Sequence, residues 1–267
     1  MDTELRRRLD ASGYARPGFA ERYEAFRPRP PQALLELLPP LVGSERLRLV
    51  VDLGCGTGLS TRIWASQADE VVGVEPNEAM LAHAATLSPE ENVRYVHASA
   101  YETGLPADSA DIVTASQSFH WMRPERVFPE LARILRPGGV FCAYEYFALQ
   151  TQLWEPEAAF GELRRRMGAV REERGLAADI EIWPLSRERL EESGLFSKVR
   201  ELALHSVEEG DGDRLLGFAL SEGSLVTTLE AGVTEEEVGL DWLREAAARM
   251  RDPVRWWISY RVWLGLR

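Results

Sequence analysis

Residues 50–61 read Val-Val-Asp-Leu-Gly-Cys-Gly-Thr-Gly-Leu-Ser-Thr. An apolar, β-branched run ends at the carboxylate of Asp52, and glycines follow at Gly54, Gly56 and Gly58. The pattern predicts a strand, a tight turn and a helix starting near Leu59. Such a turn lets backbone approach a ligand closely, because glycine has no Cβ in the way and accepts positive φ. A dinucleotide turn needs Gly-x-Gly-x-x-Gly. The third position holds Leu59 counted from Gly54 and Thr61 counted from Gly56, so neither frame fits.

A second carboxylate ends the next apolar run, Val71-Val-Gly-Val-Glu75. An acid about 20 residues beyond a glycine turn suits a ribose, since one carboxylate accepts protons from two hydroxyls. Pro76-Asn77 then opens a helical run over 78–87. Val93–Ala98 reads as a third strand leading to Ser99-Ala100-Tyr101. The strand that starts at Asp111 runs into the polar turn Ser116-Gln117 and the triplet Phe119-His120-Trp121. These turns fall at the carboxyl ends of strands, where α/β sheets bind ligands.

The form Asp-x-Gly-x-Gly-x-Gly over Asp52–Gly58, with Glu75, resembles the class I S-adenosylmethionine-dependent methyltransferases. The Phe-His-Trp triplet is similar to the methyltransferase-11 type, and within it to the branch that includes trans-aconitate methyltransferase. Tyr23-Glu-Ala-Phe-Arg27-Pro28-Arg29-Pro30 resembles that branch's Tyr-x-x-aromatic-Arg-Pro-x-aromatic-Pro signature, with Arg29 and Pro30 replacing its end. The resemblance covers 19–147 well and 198–266 loosely. It implies an α/β, Rossmann-like fold: a doubly wound, mostly parallel seven-stranded sheet with a helical lid in the C-terminal half. It also implies S-adenosyl-L-methionine as cofactor.

On the same resemblance, Gly54, Cys55, Gly56 and Gly58 follow the methionine part, and Asp52 anchors the loop or meets the amino group through water. Glu75, beside Pro76, takes the ribose. Ser99 stands where an Asp usually receives the adenine amine, the Ala100 amide donates to the ring, and Tyr101 stacks on it or packs on the loop. Ser116 and Gln117 either meet the adenosine edge or are exposed turn residues that need no role. Tyr23 and Arg27 lie near the cofactor carboxylate or the substrate.

The elements that position these residues divide the chain into an N-terminal cap over 1–40, a cofactor-binding core over 41–150, a lid insertion over 151–184, and the end of the sheet over 185–267, with a helical insertion at 211–250. Pro124–Leu135 reads as a helix with Pro in its first turn, ended by Arg136-Pro-Gly-Gly139 before a fifth strand, Val140–Phe147. Residues 151–183 read as irregular and partly helical. Ser186–Gly194 reads as a capped helix. Val199–Val207 and Val254–Leu266 alternate like strands, with helical stretches 212–221, 224–231 and 235–250 between them. Those helices and 151–183 would form the lid, and most of the tryptophans in this half would pack inside lid and hairpin.

The formal charge of −12 repels phosphate backbones and no Lys/Arg stripe compensates, which argues against nucleic acid. No run approaches the roughly 18 apolar residues of a membrane span, and no charged-then-apolar leader is present, so a cytoplasmic protein is expected. The two cysteines, Cys55 and Cys142, suggest neither disulfide nor metal site and read as reduced, buried thiols. The partners expected are a small-molecule acceptor and, at most, a second copy, giving a monomer or homodimer.

A sulfonium methyl is already activated, so alignment matters most: positioning can supply about 7–11 kcal/mol. A general base adds roughly 3–5 kcal/mol. A carboxylate acceptor, with a pKa of about 4, is ionised beforehand and needs no base. Arg27, Ser221 and Ser224 are candidates to hold it, although the serines equally suit helix caps. His120 is the histidine placed near the methyl and the catalytic candidate: a base for a hydroxyl or carbon acceptor, or else a residue bonded to a loop carbonyl. His83, His97 and His205 fall on predicted helix or strand. The expected function is methylation of a small molecule, most simply O-methylation of an organic acid. C-methylation of a quinone- or polyketide-like acceptor, or cofactor binding without catalysis, are the alternatives, and an NAD-dependent oxidoreductase comes last.

Overall fold

Strands β1 (Leu47–Leu53), β2 (Ala68–Glu75), β3 (Val93–His97), β4 (Ala110–Ser116) and β5 (Leu135–Gln150) run parallel. They belong to a computed structural model that describes residues 3–44, 46–176 and 181–267. Residues 1, 2 and 177–180 of the expected cap and lid segments lie outside the described residues. Strands β6 (Lys198–Gly210) and β7 (Val254–Leu266) close the sheet as an antiparallel hairpin, in the order β3-β2-β1-β4-β5-β7-β6. The sheet is thus the expected seven-stranded, doubly wound one. β1, β2 and β4 are nearly continuous apolar runs because both of their faces are covered.

The helices are α1 (Thr3–Ser12), α2 (Phe19–Phe26), α3 (Ala33–Val42), α4 (Glu78–Thr86), α5 (Pro124–Ile134), α6 (Trp154–Glu173), α7 (Arg187–Glu192), α8 (Gly212–Leu220), α9 (Gly223–Glu230), α10 (Glu235–Val238) and α11 (Leu240–Arg249). One face of the sheet buries Leu53, Val113 and Phe141 against Leu131 of α5. The other buries Val50, Val71 and Ile112 against Leu34 and Leu38 of α3. A separate apolar cluster, with Phe160, Leu163, Phe218 and Leu243 around Trp256, joins α6 to α8 and α11.

Three local expectations change. No α-helix follows the glycine turn; the segment makes tight turns and a 3₁₀ turn at Arg62–Trp64. Ser60 and Thr61 donate their hydroxyls to the Asp52 carboxylate at 3.4 and 2.8 Å, and this inward pull competes with helix geometry. The segment read as irregular instead contains the 20-residue α6, whose buried Pro156, Phe160, Leu163 and Met167 recur at helical spacing. Trp154 at its start is exposed and Trp242 is half-exposed beneath the Arg166 guanidinium, whereas Trp256 and Trp263 are core. Among the described residues, no helix is long and apolar enough to cross a membrane.

Candidate active site

The carboxyl ends of β1 to β4 open into a cavity of about 1210 Å³, its mouth included. It lies where chain order reverses between β1 and β4, the switch point at which such sheets hold ligands. Gly54, Cys55 and Gly56 line it beyond β1. Gly56 has φ +56°, and a Cβ there would meet only Met80 Cε, at 3.4 Å, so the turn leaves its open side to the cavity. The Ser118 hydroxyl donates to the Leu53 carbonyl at 2.6 Å and fastens the turn after β4 to the end of β1.

Glu75 and Pro76 line the cavity beyond β2. The Glu75 carboxylate accepts the Gly56 amide at 3.0 Å and the Asn77 amide at 2.8 Å. Burial pushes its pKa up to about 7, with these two bonds opposing the rise. Beyond β3, Ser99, Ala100 and Tyr101 contribute. The Ser99 hydroxyl accepts the Tyr101 amide at 3.2 Å, and the Tyr101 hydroxyl accepts the Arg123 amide at 2.9 Å, which pins this loop to the start of α5. Ser116 and Gln117 line the cavity beyond β4. Gln117 sits at φ +53°, strained for a residue with a side chain, and its buried Nε2 has no hydrogen-bond partner among the described residues.

Tyr23 and Arg27 complete the set from the N-terminal side. Arg27 donates through Nε to Ser221 Oγ at 2.8 Å, through Nη2 to the Ser221 carbonyl at 2.6 Å and through Nη1 to the Tyr146 hydroxyl. Its guanidinium lies 4.7 Å from the Tyr23 ring centre, and among the described residues no carboxylate pairs with it.

Three residues of the expected site do not line the cavity. Asp52 is fully buried, accepts from Thr61 and Thr114, both at 2.8 Å, and is pushed up to about 6 by burial; it anchors the turn from beneath. Gly58, at φ +81°, gives its space to Tyr95, whose hydroxyl would lie 2.2 Å from a Cβ. His120 stands 3.5 Å from Glu145, and its carbonyl accepts the Trp183 amide at 2.8 Å.

The cover also differs from the expected lid. No described residue of 151–184 or 211–250 lines the cavity, Ser221 and Ser224 included; Ser221 reaches it through Arg27. The roof comes from α1 and the turn after it, through Leu5, Arg8, Leu9, Ser12 and Tyr14. Arg62 ties α2 to the glycine turn, donating to the Thr57 carbonyl at 2.7 Å and to Glu24 at 2.6 Å. Sequence reasoning missed Arg8, Tyr14, Met122, Tyr146 and Tyr260 in the lining. Tyr146 and Tyr260 face each other across the β5–β7 ladder, so strand alternation held a signal for them. Arg8 and Tyr14 carried none.

The profile of a family described as a methyltransferase domain matches residues 51–143. An uncharacterized methyltransferase of Mycobacterium bovis is 39% identical over 118 residues, 44% of this chain and 46% of the relative. A trans-aconitate 2-methyltransferase of Variovorax paradoxus is 39% identical over 128 residues, 46% of this chain and 47% of the relative. The match thus spans about half the length of these curated relatives. Among solved structures, a proposed type II methyltransferase of Anaeromyxobacter dehalogenans is 27% identical over 90% of this chain and 98% of its own, with a TM-score of 0.67. A phosphoethanolamine N-methyltransferase 2 of Haemonchus contortus shares the fold at 19% identity and a TM-score of 0.56, over 97% of this chain and 59% of its own. Residues 51–143 are therefore a methyltransferase domain, and the sheet around them has the class I methyltransferase fold.

Proposed function

We propose that this chain transfers a methyl group from S-adenosyl-L-methionine to a small molecule, and that the acceptor atom is a carboxylate oxygen of an organic acid. The observation that carries the reading is the joint opening into one cavity of the Gly54–Gly56 turn, Glu75 and Arg27, a cation with no carboxylate at ion-pair distance among the described residues. The donor set suits the cofactor. Open backbone at Gly56 suits its amino-acid part, the Glu75 carboxylate suits ribose hydroxyls, and the Ser99–Tyr101 loop with Gln117 suits the adenine edge. When bound, the cofactor supplies a methyl group on a positively charged sulfur.

The remaining work falls to the chain. Arg27, held by Ser221 and Tyr146, presents a fixed cation to a carboxylate. Tyr14 and Tyr23 both line the cavity, ring centres 6.3 Å apart, and narrow the space, which excludes water and restricts the acceptor's approach. An ionised carboxylate requires no proton removal, in keeping with a lining that holds no histidine among the described residues. The Variovorax relative is named for methylating an organic acid, which adds support to this acceptor class.

The test uses methyl-labelled cofactor, purified protein and a panel of small acids beside a metabolite extract, followed by base. Label released as volatile methanol supports a carboxyl ester. Label that withstands base favours a second reading, carbon methylation, for which the apolar Leu5, Leu9 and Met122 in the lining provide the motive. Bound cofactor without turnover of any acceptor would leave a binding protein.

A further inference from the structure

Strand β6 is the outermost of the sheet and runs for 13 residues, about 43 Å of edge at the usual rise per residue. Its inner side is laddered to β7 from Lys198 to Gly210 without a bulge. Among the described residues, no other element bonds to the backbone of residues 198–208. Just beyond them, Arg214 donates to the Glu209 carbonyl at 2.5 Å. A long, straight, bare edge is a template for another strand, and proteins that avoid such pairing shorten, kink or cover it.

The residues of this edge say which strand fits. Residues 198–208 read Lys-Val-Arg-Glu-Leu-Ala-Leu-His-Ser-Val-Glu, close to their own mirror about Ala203 but with opposite charges at the two ends. Consider this stretch laid antiparallel on a second copy, with Ala203 opposite Ala203. Leu202 then meets Leu204, Val199 meets Val207, Glu201 meets His205, Lys198 meets Glu208 and Arg200 meets Ser206, each twice and with no like charges opposed. A slip of two residues one way sets Val199 against Glu209 and Val207 against Glu201. The slip the other way sets Arg200 against Leu204 and Val199 against His205. Charges on an edge normally turn a second strand away; here they select one register of this same strand.

The side chains are free to take these places. Val207 is 57% exposed, large for an apolar residue, and would gain Val199 as a neighbour. His205 engages Ser259 Oγ through Nδ1 at 3.0 Å, which leaves Nε2 for Glu201 of the second copy. Glu208 is already fixed by the Arg29 amide at 2.9 Å and by Arg214, so Lys198 adds only a rim contact there.

We propose that β6 pairs antiparallel with β6 of a second copy about Ala203, which makes the protein a two-fold dimer whose sheets join edge to edge. Residues 198–208 of both chains would exchange roughly ten backbone hydrogen bonds, the number a stable interface typically carries. The contact is isologous, so it closes at two copies and leaves no edge of this kind for a third. No residue of β6 lines the cavity, and each copy keeps its own site.

The experiment is sedimentation velocity on the full-length protein over a range of concentrations, which should show a reversible dimer. Ala203 is exposed in the single chain, so Ala203→Lys leaves the fold intact but sets two ammonium groups face to face on the axis. It should weaken the dimer about tenfold or more. Ala203→Cys should join two copies through a short bis-maleimide, whereas Val207→Cys should not, because its twin lies about 27 Å away along the paired strands. The native Cys55 and Cys142 are buried and do not compete. A protein that stays monomeric at every concentration overturns the proposal. A dimer untouched by Ala203→Lys, or one joined at Val207 and not at Ala203, places the contact on another face or in another register and overturns it too. If Ala203→Lys does not fold, the two cysteine variants decide.

Discussion

The carboxylate of Glu75 accepts the N–H of Gly56 at 3.0 Å, tying the acid at the end of β2 to the glycine turn after β1. Each group lines the cavity and each braces the other. Chemistry at one is therefore felt at the other, and the tie makes both the pH response and the tolerance of this turn to substitution predictable.

Burial raises Glu75 from its ordinary 4.5 to about 7, so between those values the folded protein keeps a proton that the unfolded chain has released. Stability should fall as pH rises through that window, by about 3 kcal/mol, and level off above it. Cofactor affinity should run the other way, because ribose hydroxyls need the ionised acceptor, and should rise as pH climbs through about 7. Glu75→Gln should flatten the affinity profile and shrink the stability slope; Asp52, raised to about 6, keeps a residue of it. Thermal unfolding and S-adenosylhomocysteine calorimetry between about pH 5 and 8 check both. A Glu75→Gln protein with unchanged affinity at every pH would remove Glu75 from the site.

The last two glycines of the turn should separate stability from binding. Gly58→Ala forces a side chain into positive φ and against Tyr95, and should cost more than about 2 kcal/mol of stability. Gly56→Ala meets only Met80 and should cost about 1–2 kcal/mol in strain, yet its methyl enters the cavity and should weaken the cofactor about tenfold or more. Denaturant unfolding beside calorimetry gives the pattern, and the reverse ranking would contradict it.

Arg27 should show itself in acceptor binding. Arg27→Gln removes the cation and its bonds to Ser221 and Tyr146, so KM for an acid should rise about 10- to 100-fold, with kcat affected less. Tyr146→Phe takes away one acceptor for Arg27 and should cost about three- to tenfold. Steady-state kinetics on the first acid turned over measures both; a loss of cofactor affinity of equal size would move Arg27 to the methionine carboxylate.

His120 should prove dispensable for an acid acceptor. It does not line the cavity and faces Glu145, while the bond from Trp183 uses its backbone carbonyl and survives substitution. His120→Gln should change kcat less than about threefold. A fall of about 100-fold or more would be the signature of a general base and would favour a hydroxyl or carbon acceptor.

Much of the cavity floor was readable because it hangs on strand ends. Apolar runs set the register of β1, β2 and β4, and a glycine or acid just past such a run has little choice of location, so Gly54, Gly56 and Glu75 all line the cavity at the ends of β1 and β2. Asp52 and Gly58 belong to the same motif but face inward. Alternation along a strand says that sides differ, and it does not say whether the buried side at a turn meets ligand or protein. The missing helix after the turn had the same origin, since hydroxyls at 60 and 61 look ordinary until a carboxylate stands beneath them.

The cover was not readable. Arg6-Arg7-Arg8 is a plain basic run in the sequence, yet Arg6 and Arg7 are exposed while Arg8 is buried in the cavity wall. Each residue of a helix turns about 100° from the last, so three neighbours cannot all face inward. The sequence by itself determined the strand order's chemistry: where backbone would open to a ligand and where an acid would wait. Which arginine would join it was decided by the tertiary structure alone, because the rotation of α1 is set by seating Leu5 and Leu9 over a cavity built from residues far along the chain.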